Sequence, residues 1–109
     1  MAYKILGRKE ATTSLAELYA VPASSSAVVS TITVANITSS AKTYRIAIKP
    51  ATGTTIDNSH YIAYDATIAA NDTVALTIGI TLATLNAIHV MGSAANSVVF
   101  QAFGSEQSA

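Results

Sequence analysis

The stretch Ala27–Pro50, AVVSTITVANITSSAKTYRIAIKP, decides how the chain reads. Val28, Ser30, Ile32 and Val34 fall on one side of an alternating run, and Val29, Thr31, Thr33 and Ala35 on the other. Beyond a polar segment at 36–42, Tyr44, Ile46 and Ile48 alternate with Arg45, Ala47 and Lys49. Alternation with period two over this length describes two β-strands, each with one apolar face. Joined by a short polar turn, they are expected to form the central β-hairpin of an all-β domain. The basic side of the second strand faces water, and Pro50, with no N–H to give to a ladder, ends it.

The same pattern extends in both directions. Residues 2–10 alternate weakly and carry Lys4, Arg8 and Lys9, as an edge strand does. Residues 14–21, SLAELYAV, hold a Ser14-x-x-Glu17 capping box, but Pro22 stops the run within two turns. A short strand is expected there, with a one-turn helix as its rival. Residues 51–59 form the longest polar loop, and 60–64, continuing to 68, the next strand. A single strand over 73–82 has Val74, Leu76, Ile78, Ile80 and Leu82 on one side, and Gly79 marks a bulge or a close backbone approach. Strands at 87–92 and 98–103 follow, with Ile88 and Val90 inward and His89 and Met91 outward. The expected fold is all-β: a single antiparallel β-sandwich or jelly roll of about eight short strands spanning 1–109. Residues 1–13 would be an N-terminal arm or edge strand and 104–109 a tail.

Composition agrees with strands and bounds the function. Among 109 residues, 11% are charged, net charge is zero and cysteine is absent. That excludes disulfides and thiolate metal sites. All six Lys and Arg lie in residues 1–50 with two of the six acids, so the halves carry net charges of +4 and −4. Strands of opposite sign sitting side by side in one fold account for this most simply; complementary patches on neighbouring subunits are the alternative. So little charge suits a surface that is covered by copies of itself or by a partner. The beginning of the chain lacks a signal-peptide apolar region, and no apolar run reaches the ~18 residues of a membrane span. A protein made in a cytosol, with no membrane partner, is expected.

No constellation for catalysis stands out. Ser59 and His60 are adjacent, so a strand would point them to opposite faces. A metal site would need both histidines, His60 and His89, plus Asp57, Asp65 or Asp72 from scattered positions. No nucleophile elbow, phosphate-binding loop or dinucleotide fingerprint occurs. Arg45 and Lys49 share a strand face with Lys42 before them, while Tyr61 and Tyr64 lie elsewhere in the chain, so nucleic acid is not an expected partner. Neither an enzyme nor a bound cofactor is expected. The Asn36-Ile-Thr and Asn71-Asp-Thr sequons carry no weight without a secretion signal.

Several segments resemble a known group: Leu-Tyr-x-Val-Pro-Ala at 18–23, Val-Val-Ser-Thr-Ile-Thr-Val-Ala-Asn at 28–36, Thr-Tyr-Arg-Ile-Ala at 43–47, Ile-Ala-Tyr-Asp at 62–65, Ala-Ala-Asn-Asp-Thr-Val-Ala-Leu-Thr at 69–77 and Phe-Gly-Ser-Glu at 103–106. Together they resemble small virion structural proteins of tailed bacteriophages. The resemblance implies a non-enzymatic β-sandwich subunit, assembled in the host bacterial cytoplasm and used in many copies on the particle. It would be a head decoration (cement) protein or a tail, baseplate or fibre-attachment component. Its partners would be itself, with a trimer as the first expectation, and the major capsid protein or tail proteins. Outward residues then become candidate contacts: Val29, Met91, Val99 and Phe103, with Lys42, Arg45 and Lys49 against an acidic neighbour. The second expectation is a receptor- or glycan-binding β module using Tyr61, Tyr64 and the 51–59 loop.

Overall fold

A computed structural model describes residues 3–51, 53–77 and 79–108. Its strands are β1 (Tyr3–Glu10), β2 (Ala16–Ala20), β3 (Ser25–Asn36), β4 (Lys42–Lys49), β5 (Tyr61–Ile68), β6 (Thr73–Leu76), β7 (Ile80–Leu82), β8 (Ala87–Gly92) and β9 (Val98–Ser108). The described residues contain no α-helix, only one 3-10 turn at Asn58–His60. β1, β9, β3 and β6 make one sheet in that order, with β7 also on β3; β2, β8, β4 and β5 make the other. Every pairing is antiparallel.

Taking β6 and β7 as one interrupted strand, each strand of the first half pairs with its mirror position in the second: β1 with β9, β2 with β8, β3 with β6–β7, β4 with β5. The chain is one long hairpin, its tip between β4 and β5, rolled over to make two facing sheets. That connectivity is a jelly roll. The expectation of an all-β sandwich or jelly roll therefore holds, and residues 16–20 take the strand rather than the helical alternative.

The expected hairpin at 27–50 does not form. β3 and β4 lie in different sheets, and residues 37–41 carry the chain from one to the other. The crossing is held by Asn36, buried at 2% exposure. Its amide nitrogen donates to the carbonyls of Ser40 (2.9 Å), Ala69 (3.1 Å) and Ile68 (3.2 Å). Its amide oxygen accepts from the Thr38 backbone N–H (2.9 Å) and hydroxyl (2.7 Å). One side chain thus closes the 37–41 crossing onto the 69–72 turn. Residues 104–108, expected as a tail, continue β9 alongside β3.

Sheet one is interrupted at one level by extra residues. Leu6 is extra in β1 between Ile5, opposite Phe103, and Gly7, opposite Ala102. Ser30 is extra in β3 between Val29, opposite Gly104, and Thr31, opposite Phe103. Its hydroxyl donates to the Phe103 carbonyl at 3.2 Å. On the other side of β3 the ladder breaks between Leu76 and Ile80, where Gly79 has φ +61° and open space around it rather than a close neighbour. Ile78, expected on the inward side here, lies outside the described residues. Each extra residue reverses which face the following side chains occupy. Val29, expected outward, is therefore in the core at 0% exposure, and Val28 faces out.

Two glycines make the bulges fit. A Cβ on Gly104 would lie 2.0 Å from the Val28 carbonyl oxygen, and one on Gly7 would lie 2.2 Å from that of Leu18. Leu18 is itself the extra residue in β2, between Glu17 and Tyr19. The two sheets meet across a core of Ile32, Val34, Ile46, Ile88 and Val90, with Tyr44 edge-on to Phe100 at 6.1 Å.

Gly104→Ala is expected to destabilise the protein by about 3 kcal/mol, because backbone must move to admit the methyl group. Asn36→Ala leaves several buried polar groups without partners and is expected to cost about 2–4 kcal/mol. Urea unfolding followed by far-ultraviolet circular dichroism checks both; losses below 1 kcal/mol would contradict these roles.

Candidate interaction surfaces

The roll leaves each sheet one outer face, and the two differ in chemistry. Strand register places rows across the outer face of sheet one: Tyr3–Ser105–Val28–Thr81, Ile5–Phe103–Thr31, Arg8–Gln101–Thr33–Ala75, and Glu10–Val99–Ala35–Thr73. Among the described residues of these rows, the only charged side chains are Arg8 and Glu10, both on the edge strand. Tyr3 (76% exposed), Ile5 (45%) and Val28 (38%) stand in solvent. The expected contacts Phe103 and Val99 share this face, both half-buried: Phe103 beside Ile5, and Val99 beyond the Arg8–Gln101 row.

The outer face of sheet two is charged and aromatic. Its rows are Met91–Arg45, Glu17–His89–Ala47–Tyr61, and Ala20–Ala87–Lys49. Lys42 does not share this face by register: it opens β4 opposite the buried Ile68, on the inward parity. Arg45 and Lys49 do. Glu17, Lys49, His89 and Leu85 line a depression of about 130 Å³ at one end of this face. Burial, and then the Lys49 charge, hold the His89 imidazole below its ordinary pKa against the pull of Glu17.

Arg45, expected to meet an acidic neighbour, meets one inside the subunit. Its Nε donates to Asp65 Oδ1 at 2.7 Å and its Nη2 to Oδ2 at 3.1 Å. The guanidinium stacks over the Tyr64 ring at 3.9 Å, and Tyr61 stands edge-on to Tyr64 at 4.9 Å. The fork from Arg45 lowers the Asp65 pKa. The sequence separated these tyrosines from the basic strand; the β4–β5 pairing joins them. β5 carries an extra residue here: Tyr44 lies opposite Ala66 and Ile46 opposite Ala63, so Tyr64 and Asp65 both stand against Arg45. Asp65 takes φ +52° to do so. An Asp ahead of Ala-Thr inside an alternating run was the only trace of this turn in the sequence.

The other polar groups hold the fold together. Asp57 accepts from the Ser59 backbone at 2.8 Å, and His60 Nδ1 accepts from the Asp57 N–H at 2.9 Å, closing a cap on the 3-10 turn. Asp72 accepts from the Thr73 N–H. Glu106 sits opposite Ala27 on the inward side of β9, where the Tyr19 hydroxyl donates to it at 2.5 Å and Lys4 lies 3.5 Å away. No group of three or more His, Cys, Asp or Glu side chains among the described residues could hold a metal ion. No helix among the described residues is long and apolar enough to cross a membrane. No protein-family model matches the chain, and no curated protein matches it.

The Tyr19 hydrogen bond, with the Lys4 charge beside it, holds the Glu106 carboxyl below its ordinary pKa. A carboxylate depressed in the folded state contributes stability above its unfolded pKa of about 4.3 and loses it as pH falls through the folded value. The melting temperature of Glu106→Gln is therefore expected to lie below wild type at pH 7 and to converge with it toward pH 3. A pH-independent gap would contradict the linkage.

Proposed function

We propose that the chain is a non-enzymatic structural subunit of a tailed-phage virion that binds copies of itself through the outer face of its first sheet. The observation that carries this is the composition of that face. It is wide and nearly uncharged, with Tyr3, Ile5 and Val28 exposed around Phe103 toward one end and the half-buried Val99 toward the other. Exposed apolar side chains clustered in this way mark sites of association, and the Thr and Ala positions of the face let a second sheet approach to the ~10 Å of sheet-on-sheet packing. Obligate interfaces bury more than about 2,000 Å², and a whole sheet face is the feature of this small domain that can contribute on that scale. Zero net charge favours the same outcome.

The non-enzymatic reading draws on what the acidic groups do. Asp57, Asp65, Asp72 and Glu106 are each engaged in a cap, a fork, a turn or a cross-sheet bond. Jelly rolls recur in viral capsid proteins, a fold-level analogy that agrees with the sequence resemblance. A head decoration subunit bound to the major capsid protein is the leading form of the proposal, and a tail or fibre-attachment component the second.

Sedimentation equilibrium at micromolar concentration is expected to give a closed oligomer, a trimer first. The double variant Ile5→Lys/Val28→Lys changes two exposed positions, keeps the fold, and is expected to shift the protein to monomer. Purified protein is expected to co-sediment with phage heads; binding only to tails selects the second form. A wild-type monomer that binds neither particle part would overturn the proposal.

A further inference from the structure

We propose that Tyr61, Tyr64, Arg45 and Asp65 form a binding site for a neutral pyranose sugar on the outer face of the second sheet. The site lies on the opposite sheet from the self-association face, so both can be occupied at once and each stands without the other.

Asp65 is not a glycine, yet it holds φ +52° on an edge strand. What that conformation achieves is to set Tyr64 and Asp65 together against Arg45. The resulting ion pair is part-exposed, with 26% of the Arg45 and 53% of the Asp65 side chain in solvent. Its bidentate geometry and the stacking on Tyr64 stabilise it more than an ordinary surface pair, a gain offset by the left-handed backbone at a non-glycine residue. The same arrangement produces an aromatic surface whose orientation is set from two sides, by the guanidinium at 3.9 Å and by Tyr61 at 4.9 Å. Tyr64 nonetheless remains 54% exposed. Rigid aromatic surface with polar groups at its rim is what a ligand with one apolar and one hydroxyl-bearing side requires.

The charges select the ligand class. Asp65 neutralises Arg45 and occupies its Nε and Nη2, so a phosphate or a nucleic-acid backbone would have to displace a bidentate carboxylate. A neutral ligand does not. A pyranose can lay its C–H face on Tyr64 and direct a vicinal hydroxyl pair at the rim. The Asp65 oxygens have lone pairs beyond those given to Arg45, and Arg45 Nη1 lies outside the fork. The 51–59 loop, expected from the sequence to share this site, contributes none of the four residues. Within it, Asp57 and Ser59 are engaged in the cap on the 3-10 turn.

The test uses the full chain on a glycan microarray containing neutral, sialylated, sulfated and phosphorylated glycans. Saturation-transfer NMR then follows with the methyl glycosides of glucose, mannose and galactose. Binding to neutral glycans, with saturation transfer to at least one glycoside, is expected. Tyr64→Ala is expected to weaken it at least tenfold. Asp65→Gly suits the left-handed backbone and keeps the turn while removing the carboxylate; it should unfold no more easily than wild type yet lose binding at least fivefold. No glycan signal, binding unchanged in Tyr64→Ala, or binding confined to anionic glycans and abolished by 0.5 M salt would each overturn the proposal.

Discussion

Asn36 is buried where β3 leaves the first sheet, and its amide serves Thr38, Ser40, Ile68 and Ala69 at once. Those groups lie in or beside two connections, 37–41 and 69–72, that would otherwise bring polar backbone to the end of the core without partners. Burying them unpaired costs more than a hydrogen bond returns, so the crossing and the amide depend on each other. With the crossing in place, β3 and β4 cannot pair, and each must find partners from the second half of the chain. β9 and β6–β7 fill that role for β3, and β8 and β5 for β4.

The bulges decide what the outside of the sandwich is made of. A strict alternation through β3 would place Val29 and Thr31 on one face. The extra Ser30 instead sends Val29 into the core and Val28 out. Leu6 does the same in β1, bringing Arg8 onto the face shared with Ile5. Gly104 and Gly7 stand where these bends press backbone against backbone. The make-up of that outer face is thus a product of register. In β5, a bulge of the same kind builds the Arg45–Asp65–Tyr64 cluster on the other sheet.

The uneven charge along the chain follows from the roll. Because each strand pairs with its mirror position, the basic first half must lie beside the acidic second half. Lys4 meets Glu106 across the β1–β9 edge, and Arg45 meets Asp65 across β4–β5. Two of the six cations are thereby neutralised inside the subunit.

Much of this protein was legible in its residues. Period-two alternation located the strands around 27–36, 43–49, 87–92 and 98–103, because side-chain direction in a strand depends only on neighbours in the chain. Pro22, Pro50 and the Asn71-Asp72 turn bounded several of them for equally local reasons. Partner choice was not legible, since any strand with one apolar face satisfies the same pattern; hence the expected hairpin at 27–50. Nor were the bulges, because an extra residue is defined only against the strand opposite, and Val29 was misplaced for that reason; Lys42, read as part of the turn, opens β4 on the inward parity. The meeting of Arg45 with Tyr61, Tyr64 and Asp65, some twenty residues away, exists only once β4 and β5 pair. Local sterics and hydropathy determined which segments are strands; the pairing of distant strands, settled by a shared core and one buried amide, decided which faces they present.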